Sequence, residues 1–113
     1  MKLEMLYLPT TDLTASLETY RSLGFTEVWR EGEATAAIEL PGSEVQIMLD
    51  TSDPSARPGP MLTVDRVLDF HAGRPEGLTV IEEPAEIPGG YWAAYREPGG
   101  ATVYLIDQST DQG

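Results

Sequence analysis

The sequence predicts an α+β chain in which one βαβββ module is used twice, and three observations carry that reading. Ala36-Ala37-Ile38-Glu39-Leu40-Pro41-Gly42-Ser43 returns as Ala93-Ala94-Tyr95-Arg96-Glu97-Pro98-Gly99-Gly100, an offset of 57 in a chain of 113 residues. Each copy precedes an apolar run closed by an acid, Val45-Gln46-Ile47-Met48-Leu49-Asp50 and Thr102-Val103-Tyr104-Leu105-Ile106-Asp107. Each therefore reads as a hairpin turned at Pro-Gly. Between the halves, residues 51–60 are turn formers with no apolar period and make a linker. A supersecondary unit repeated in this way makes a floor shared by the two copies the natural place for a ligand.

The elements follow in order. Leu3 to Leu8, ended by Pro9, is an apolar run of strand type. Thr11 or Asp12 can cap a helix whose Leu13, Leu17 and Tyr20 recur at i, i+4 and i+7, and Gly24 stands where a left-handed C-terminal residue is wanted. Phe25 to Glu31 alternates with period two and turns near Gly32, after which Ala36–Leu40 and Val45–Asp50 complete a module over residues 3–50. The second module spans 61–107. Its strand Met61–Val64 leads to a shorter helix capped by Asp65, carrying Val67, Leu68 and Phe70 and stopped at Gly73. Leu78–Glu82 is the next strand, Pro84–Gly90 a loop, and Tyr91–Arg96 and Thr102–Ile106 the last hairpin. The polar tail Gln108–Gly113 is expected to fray.

Composition narrows the function. At 113 residues the chain is expected to be a single domain with one core. No cysteine is present, so a disulfide framework, a zinc ribbon and a thiol nucleophile are excluded, which fits a reducing cytoplasm. Glu4 interrupts any signal-like start, and no run approaches the ~20 apolar residues of a membrane span. The formal charge is −12, divided as −7 over residues 1–55 and −5 over 56–113. Lys and Arg supply most non-specific affinity for phosphate backbones, so nucleic acid and anionic membrane are poor partners, whereas a cationic small molecule is a suitable one.

Two βαβββ modules, the stretch Thr11 to Phe25 and the hairpin Arg96-Glu97-Pro98-Gly99-Gly100 resemble the vicinal oxygen chelate superfamily, which contains glyoxalase I, extradiol dioxygenases and bleomycin-resistance proteins. The resemblance runs from about Leu3 to Asp107. It implies that the paired modules curl into a half-barrel cup with helices on the convex face and ligand on the concave one. In the superfamily's metal enzymes, His, Glu or Gln occupies the first and last strand of each half. Those positions fall here at Met5, Gly59, Met48 (Ile47 if the frame slips by one) and Tyr104. Thioether, glycine and phenol are poor ligands for such divalent ions, so neither metal nor other cofactor is expected. A two-ligand site from Gln46 and Asp50 is the thin alternative.

His71, the only imidazole, lies on the second helix, away from the cup strands, and reads as a surface or helix-end residue in preference to a general base. No nucleophile elbow accompanies it, and the Pro-Gly-Gly turns at 88–90 and 98–100 precede strands and lack the following Lys-Ser/Thr of phosphate loops. Period two places Gln46, Met48 and Asp50 on one strand face and Thr102, Tyr104 and Ile106 on one face of its counterpart. With Met5, Tyr91 and Tyr95, these make an aromatic, thioether and carboxylate surface. The expected ligand-binding set is Met5, Gln46, Met48, Asp50, Tyr91, Tyr95 and Tyr104, with no catalytic residue. Asp50, at a strand end, is expected to be solvated. The resemblance thus implies a homodimeric binding protein of the bleomycin-resistance type, holding a cationic or aromatic molecule. The alternatives are a glyoxalase- or dioxygenase-like enzyme with a relocated or absent metal, and a structural or regulatory homodimer whose cup is plugged by Met48, Tyr104 and Met61.

Overall fold

In a computed structural model describing residues 1–110, the chain follows the order strand, helix and three strands twice. The first set is β1 (Lys2–Pro9), α1 (Leu13–Ser22), β2 (Thr26–Glu31), β3 (Thr35–Glu39) and β4 (Gln46–Asp50). The second is β5 (Gly59–Thr63), α2 (Val67–Ala72), β6 (Thr79–Ile87), β7 (Gly90–Arg96) and β8 (Thr102–Ile106). The fold class is the α+β class the repeat predicts. Contacts divide the chain into two compact units, one spanning Glu4–Pro58 and the other running from Gly59 onward and taking in Met1–Leu3.

In the first unit Asp12, not Thr11, is the cap: its Oδ1 accepts the Ala15 amide at 3.0 Å, satisfying a donor that the first helical turn cannot. Gly24, at φ +106°, lets the chain turn back from α1, and Tyr20 meets Phe25 edge to face at 5.2 Å. The strands lie in the order β2-β3-β4-β1, with β4 and β1 parallel and the other pairs antiparallel. Leu13 and Leu17 of α1 bury against Ala36, Ile38 and Leu49, with Leu8, Phe25 and Ile47 packed around them. Each fully buried Leu or Ile contributes about 1.5–3 kcal/mol, so this one apolar stripe fixes which sheet face α1 covers.

The second unit has the order β5-β8-β7-β6, with β5 and β8 parallel. Val67 of α2 packs on Ala93, Tyr95 and Leu105, flanked by Leu62, Val64, Phe70 and Val80. Three expectations are corrected here. Asp65 does not cap α2. The N-cap residue is Arg66, and the leading amide, that of Val67, is taken from a distance by Asp107 Oδ2 at 2.6 Å. The expected loop at 84–90 is mostly strand, since β6 continues through Pro84 to Ile87 before a tight turn at Gly89. Proline is tolerated because β6 has β7 on one side only, and the register slips between Val80 and Glu82 and again between Glu82 and Ala85. The tail is tied as far as Thr110, whose amide donates to Gly89 O at 3.1 Å, while the rest of the expected frayed segment lies outside the described residues.

Candidate functional site

The repeated Ala-Ala pair has a structural reason. Ala36 and Ala93 lie under the helices in the two cores, so alternation turns Ala37 and Ala94 to the opposite sheet face, each fully or almost fully buried. In the first unit Ala37 is the low point of a row running across four strands in register: Trp29, Ala37, Met48, Tyr7. Parallel rows carry Glu39, Gln46 and Met5 on one side and Glu31, Thr35, Asp50 and Pro9 on the other. Met5, Gln46, Met48 and Asp50 are thus brought onto one face, as expected. The frame does not slip to Ile47, which packs under α1.

Asp50 is not solvated. It is 7 % exposed, and its carboxylate is filled by hydroxyl and amide donors from three segments. Tyr7 Oη donates to Oδ2 and Thr35 Oγ1 to Oδ1 at 2.7 Å. Ser52 Oγ lies 2.7 and 2.9 Å from the two oxygens, and the Ser52 amide donates to Oδ1 at 3.2 Å. Burial pushes the carboxyl pKa up, but the hydrogen bonds from Tyr7, Ser52 and Thr35 together outweigh it and hold the group below the ordinary aspartate value. Tyr7, which sequence reasoning did not select, could have been found from Met5, because residues two apart on a strand share a face.

The second half reuses the Asp-x-Ser turn for another purpose. Asp107 accepts the Val67 amide that opens α2, the Tyr91 amide at 2.9 Å, and the Ser109 amide and hydroxyl at 3.1 and 2.9 Å. Gly90 makes room for it: a β-carbon there would stand 2.2 Å from the Asp107 carbonyl oxygen. Asp107 is a structural anchor. Across this unit's face, Ala94 lies between Glu82 and Tyr104, and Tyr104 pairs with Met61. Trp92, one row along, stacks on Tyr104 with centroids 5.7 Å apart and rings 6° from parallel.

Tyr91 and Tyr95 do not belong to this face. Both turn to the α2 side, where Tyr95 is fully buried in the core and Tyr91 packs against it, because Ala94 and Trp92 take the alternate positions. Tyr95 Oη lies 2.7 Å from His71 Nδ1, and His71 Nε2 lies 3.1 Å from Glu83 Oε2. Desolvation pushes the Tyr95 phenol pKa up, opposed by the Arg74 charge and aided by that of Glu83. His71 therefore bridges a core phenol to the edge strand, on the opposite side of the sheet from Tyr104. A shallow depression of about 340 Å³ beside the end of α2, lined by Ala72, Arg74, Pro75, Glu76 and Leu78, contains none of the expected site residues.

The residues do not fit the divalent ion of the fold's metal enzymes. Met5 and Met48 offer thioethers and Tyr104 a phenol. At Gly59 a side chain is impossible without backbone movement, since its β-carbon would lie 2.0 Å from Thr102 O. Among the described residues, no three His, Asp or Glu side chains are grouped to hold an ion.

The fold is that of the glyoxalase/bleomycin resistance/dioxygenase superfamily, the vicinal oxygen chelate fold. A solved structure of an NAD-dependent benzaldehyde dehydrogenase from Legionella pneumophila matches with a TM-score of 0.76 at 14% identity, covering 92% of this chain and 97% of that one. Methylmalonyl-CoA epimerase from Mycobacterium tuberculosis matches at 0.64 and 20% identity, over 93% and 86%. A glyoxalase/bleomycin resistance protein/dioxygenase superfamily member from Vibrio splendidus matches at 0.60 and 14%, over 91% and 95%. No protein-family model and no curated protein sequence matches the chain. The similarity is one of fold, and function rests on the chain's own residues.

Proposed function

We propose that this chain is a homodimeric small-molecule binding protein that holds an aromatic ligand without a metal ion, against the sheet face opposite α2. The observation that carries this reading is the near-parallel stack of Trp92 on Tyr104 at 5.7 Å. The indole is half-buried, and a flat ligand stacked on its second face would extend the pair to three rings. Such aromatic pairs contribute about 0.5–1.5 kcal/mol beyond the area they bury. The donor set at Met5, Met48, Gly59 and Tyr104 supports recognition by packing in preference to ion coordination.

The test is fluorescence titration with acridine at pH 8, where the probe is uncharged, in a Trp29→Phe background that isolates the Trp92 signal, with calorimetric titration giving the affinity of variants that lack Trp92. Saturable quenching is expected in that background, and calorimetry should show binding weakened up to about tenfold by Trp92→Leu. Absence of saturation, or affinity untouched by Trp92→Leu, would overturn the reading. Native mass spectrometry of metal-stripped protein with added Zn²⁺, Ni²⁺, Mn²⁺ or Fe²⁺ should show a dimer with no stoichiometric ion. One tightly held ion per protomer would instead favour a glyoxalase- or dioxygenase-like enzyme.

A further inference from the structure

We infer that His71 is a positioning residue for the Trp92–Tyr104 face: by holding Glu83 on the α2 side it sets where β6 slips register, so that Ala85, and not a carboxylate, stands opposite Trp92. The inference rests on the aromatic reading of that face. Its first support is the set of donors and acceptors around the imidazole. The Tyr95 phenol is fully buried, and a buried O–H needs an acceptor, which here is His71 Nδ1 at 2.7 Å. The ring is therefore the tautomer that carries its proton on Nε2, and that N–H donates to Glu83 Oε2 at 3.1 Å. Arg74 Nη1, 3.4 Å from Nε2, donates to the His71 carbonyl at 2.7 Å and leaves the ring proton to Glu83. The chain of donors runs one way, from the core phenol through the imidazole to the edge strand.

From Val80 to Glu86, β6 advances six residues while β7 runs back four, from Tyr95 to Tyr91, so two residues of β6 are extra. The Pro88-Gly89 turn, with Gly89 at φ +86°, closes between the paired Ile87 and Gly90 and fixes that number, but not where the extra residues fall. Glu83 registers the difference. With neither slip before it, Glu83 would pair with Trp92, and with both before it, with Ala94, so its carboxylate would join the aromatic face in either case. One slip before it, between Val80 and Glu82, turns it to the α2 side, where the imidazole takes it. The second slip then falls at Pro84, which has no amide to give the ladder, and brings Ala85 instead of Pro84 opposite Trp92. Ala85 is exposed, so the flank of the indole on the β6 side is bounded by a single methyl group. The Glu83 side chain is 75 % exposed and its contact with His71 is correspondingly modest. The alternatives differ only in which residues of one edge strand face which side, and a modest contact decides between them.

The test reads register and affinity separately. In the ligand-free chain, nuclear Overhauser contacts should pair Ala85 with Trp92, and His71→Leu should replace them with contacts of Glu83 to Trp92 or Ala94. In calorimetric titration at pH 8, His71→Leu should weaken acridine about fivefold and raise the affinity of N-methylacridinium relative to acridine by about the same factor, as a carboxylate enters the face. His71→Leu combined with Glu83→Ala should bring acridine back to within about twofold of wild type, which a general loosening of the core would not do. Where His71→Leu does not fold, the same variants in a Tyr95→Phe background replace it, since no buried hydroxyl is then left without an acceptor. Ala85–Trp92 contacts that survive in His71→Leu, an acridine affinity that it leaves unchanged, or a loss that Glu83→Ala does not repair would overturn the inference. Acridine failing to bind the wild-type chain would overturn the aromatic reading instead, and the Overhauser contacts, which need no ligand, would still decide what His71 holds.

Discussion

Tyr7 and Asp50 show how one hydroxyl can decide the state of a buried charge. Asp50 would be driven toward its neutral form by desolvation alone, and the donors around it reverse the direction. Tyr7 is itself buried and reaches Asp50 across 43 residues of sequence. Tyr7→Phe preserves the ring and deletes that donor, leaving a buried carboxylate with Thr35 and Ser52 only. The expected cost is about 1–3 kcal/mol of stability, read as a lower urea midpoint with an unchanged slope. The Asp50 carboxyl should also titrate at higher pH in the variant, by carbon-detected NMR. A midpoint equal to wild type would mean that water or a rotated Ser52 replaces the phenol, and that Tyr7 does not set the charge of this face.

At the scale of elements, α2 has six residues, too few to persist without tertiary support, and its leading amide is bound by Asp107. Burial raises the Asp107 pKa, but hydrogen bonds from Val67, Ser109 and Tyr91 outweigh it, so the folded value lies below the unfolded one. A carboxyl depressed by folding stabilises fully above its unfolded pKa, about 3.9, and loses that contribution as pH falls through the lower folded value. The melting temperature of Asp107→Asn should therefore lie furthest below wild type above about pH 5, with the gap narrowing below about pH 4. A gap independent of pH would show that shape, not charge, is what α2 needs. The elements themselves were largely legible, because amphipathic period and Pro-Gly turns are local signals. β6 was not, since Pro84 reads as a breaker until one knows that the strand lies at an edge. Nor was the facing of Tyr91 and Tyr95: alternation says that they share a side, not which one. The repeat held the answer, since the offset of 57 sets Tyr95 on Ile38, a core position in the first unit. The distant acceptor for α2 was hidden for a different reason, as nothing near Val67 in sequence announces Asp107.

At the scale of the whole molecule the net charge of −12 is the dominant physical fact, and it acts through repulsion spread over the surface. Seven cationic side chains face nineteen acids, and two of them, Arg21 and Arg30, converge on a single acid, Glu27, at 3.2 and 2.7 Å. Exposed pairs of this kind contribute at most about 1 kcal/mol, and salt weakens them. The repulsion among the remaining acids is also weakened by salt, and the two effects oppose each other. Raising NaCl from about 0.01 to 0.1 M shortens the screening length from about 30 to 10 Å, which removes long-range repulsion before it removes contacts a few ångströms long. Repulsion should therefore be the larger loss, and the melting temperature should rise by a few degrees over that range at pH 7, the rise disappearing near pH 4 as the acids neutralise. A melting temperature that falls with salt would mean that local pairs such as Arg21–Glu27–Arg30 outweigh the field of the whole chain.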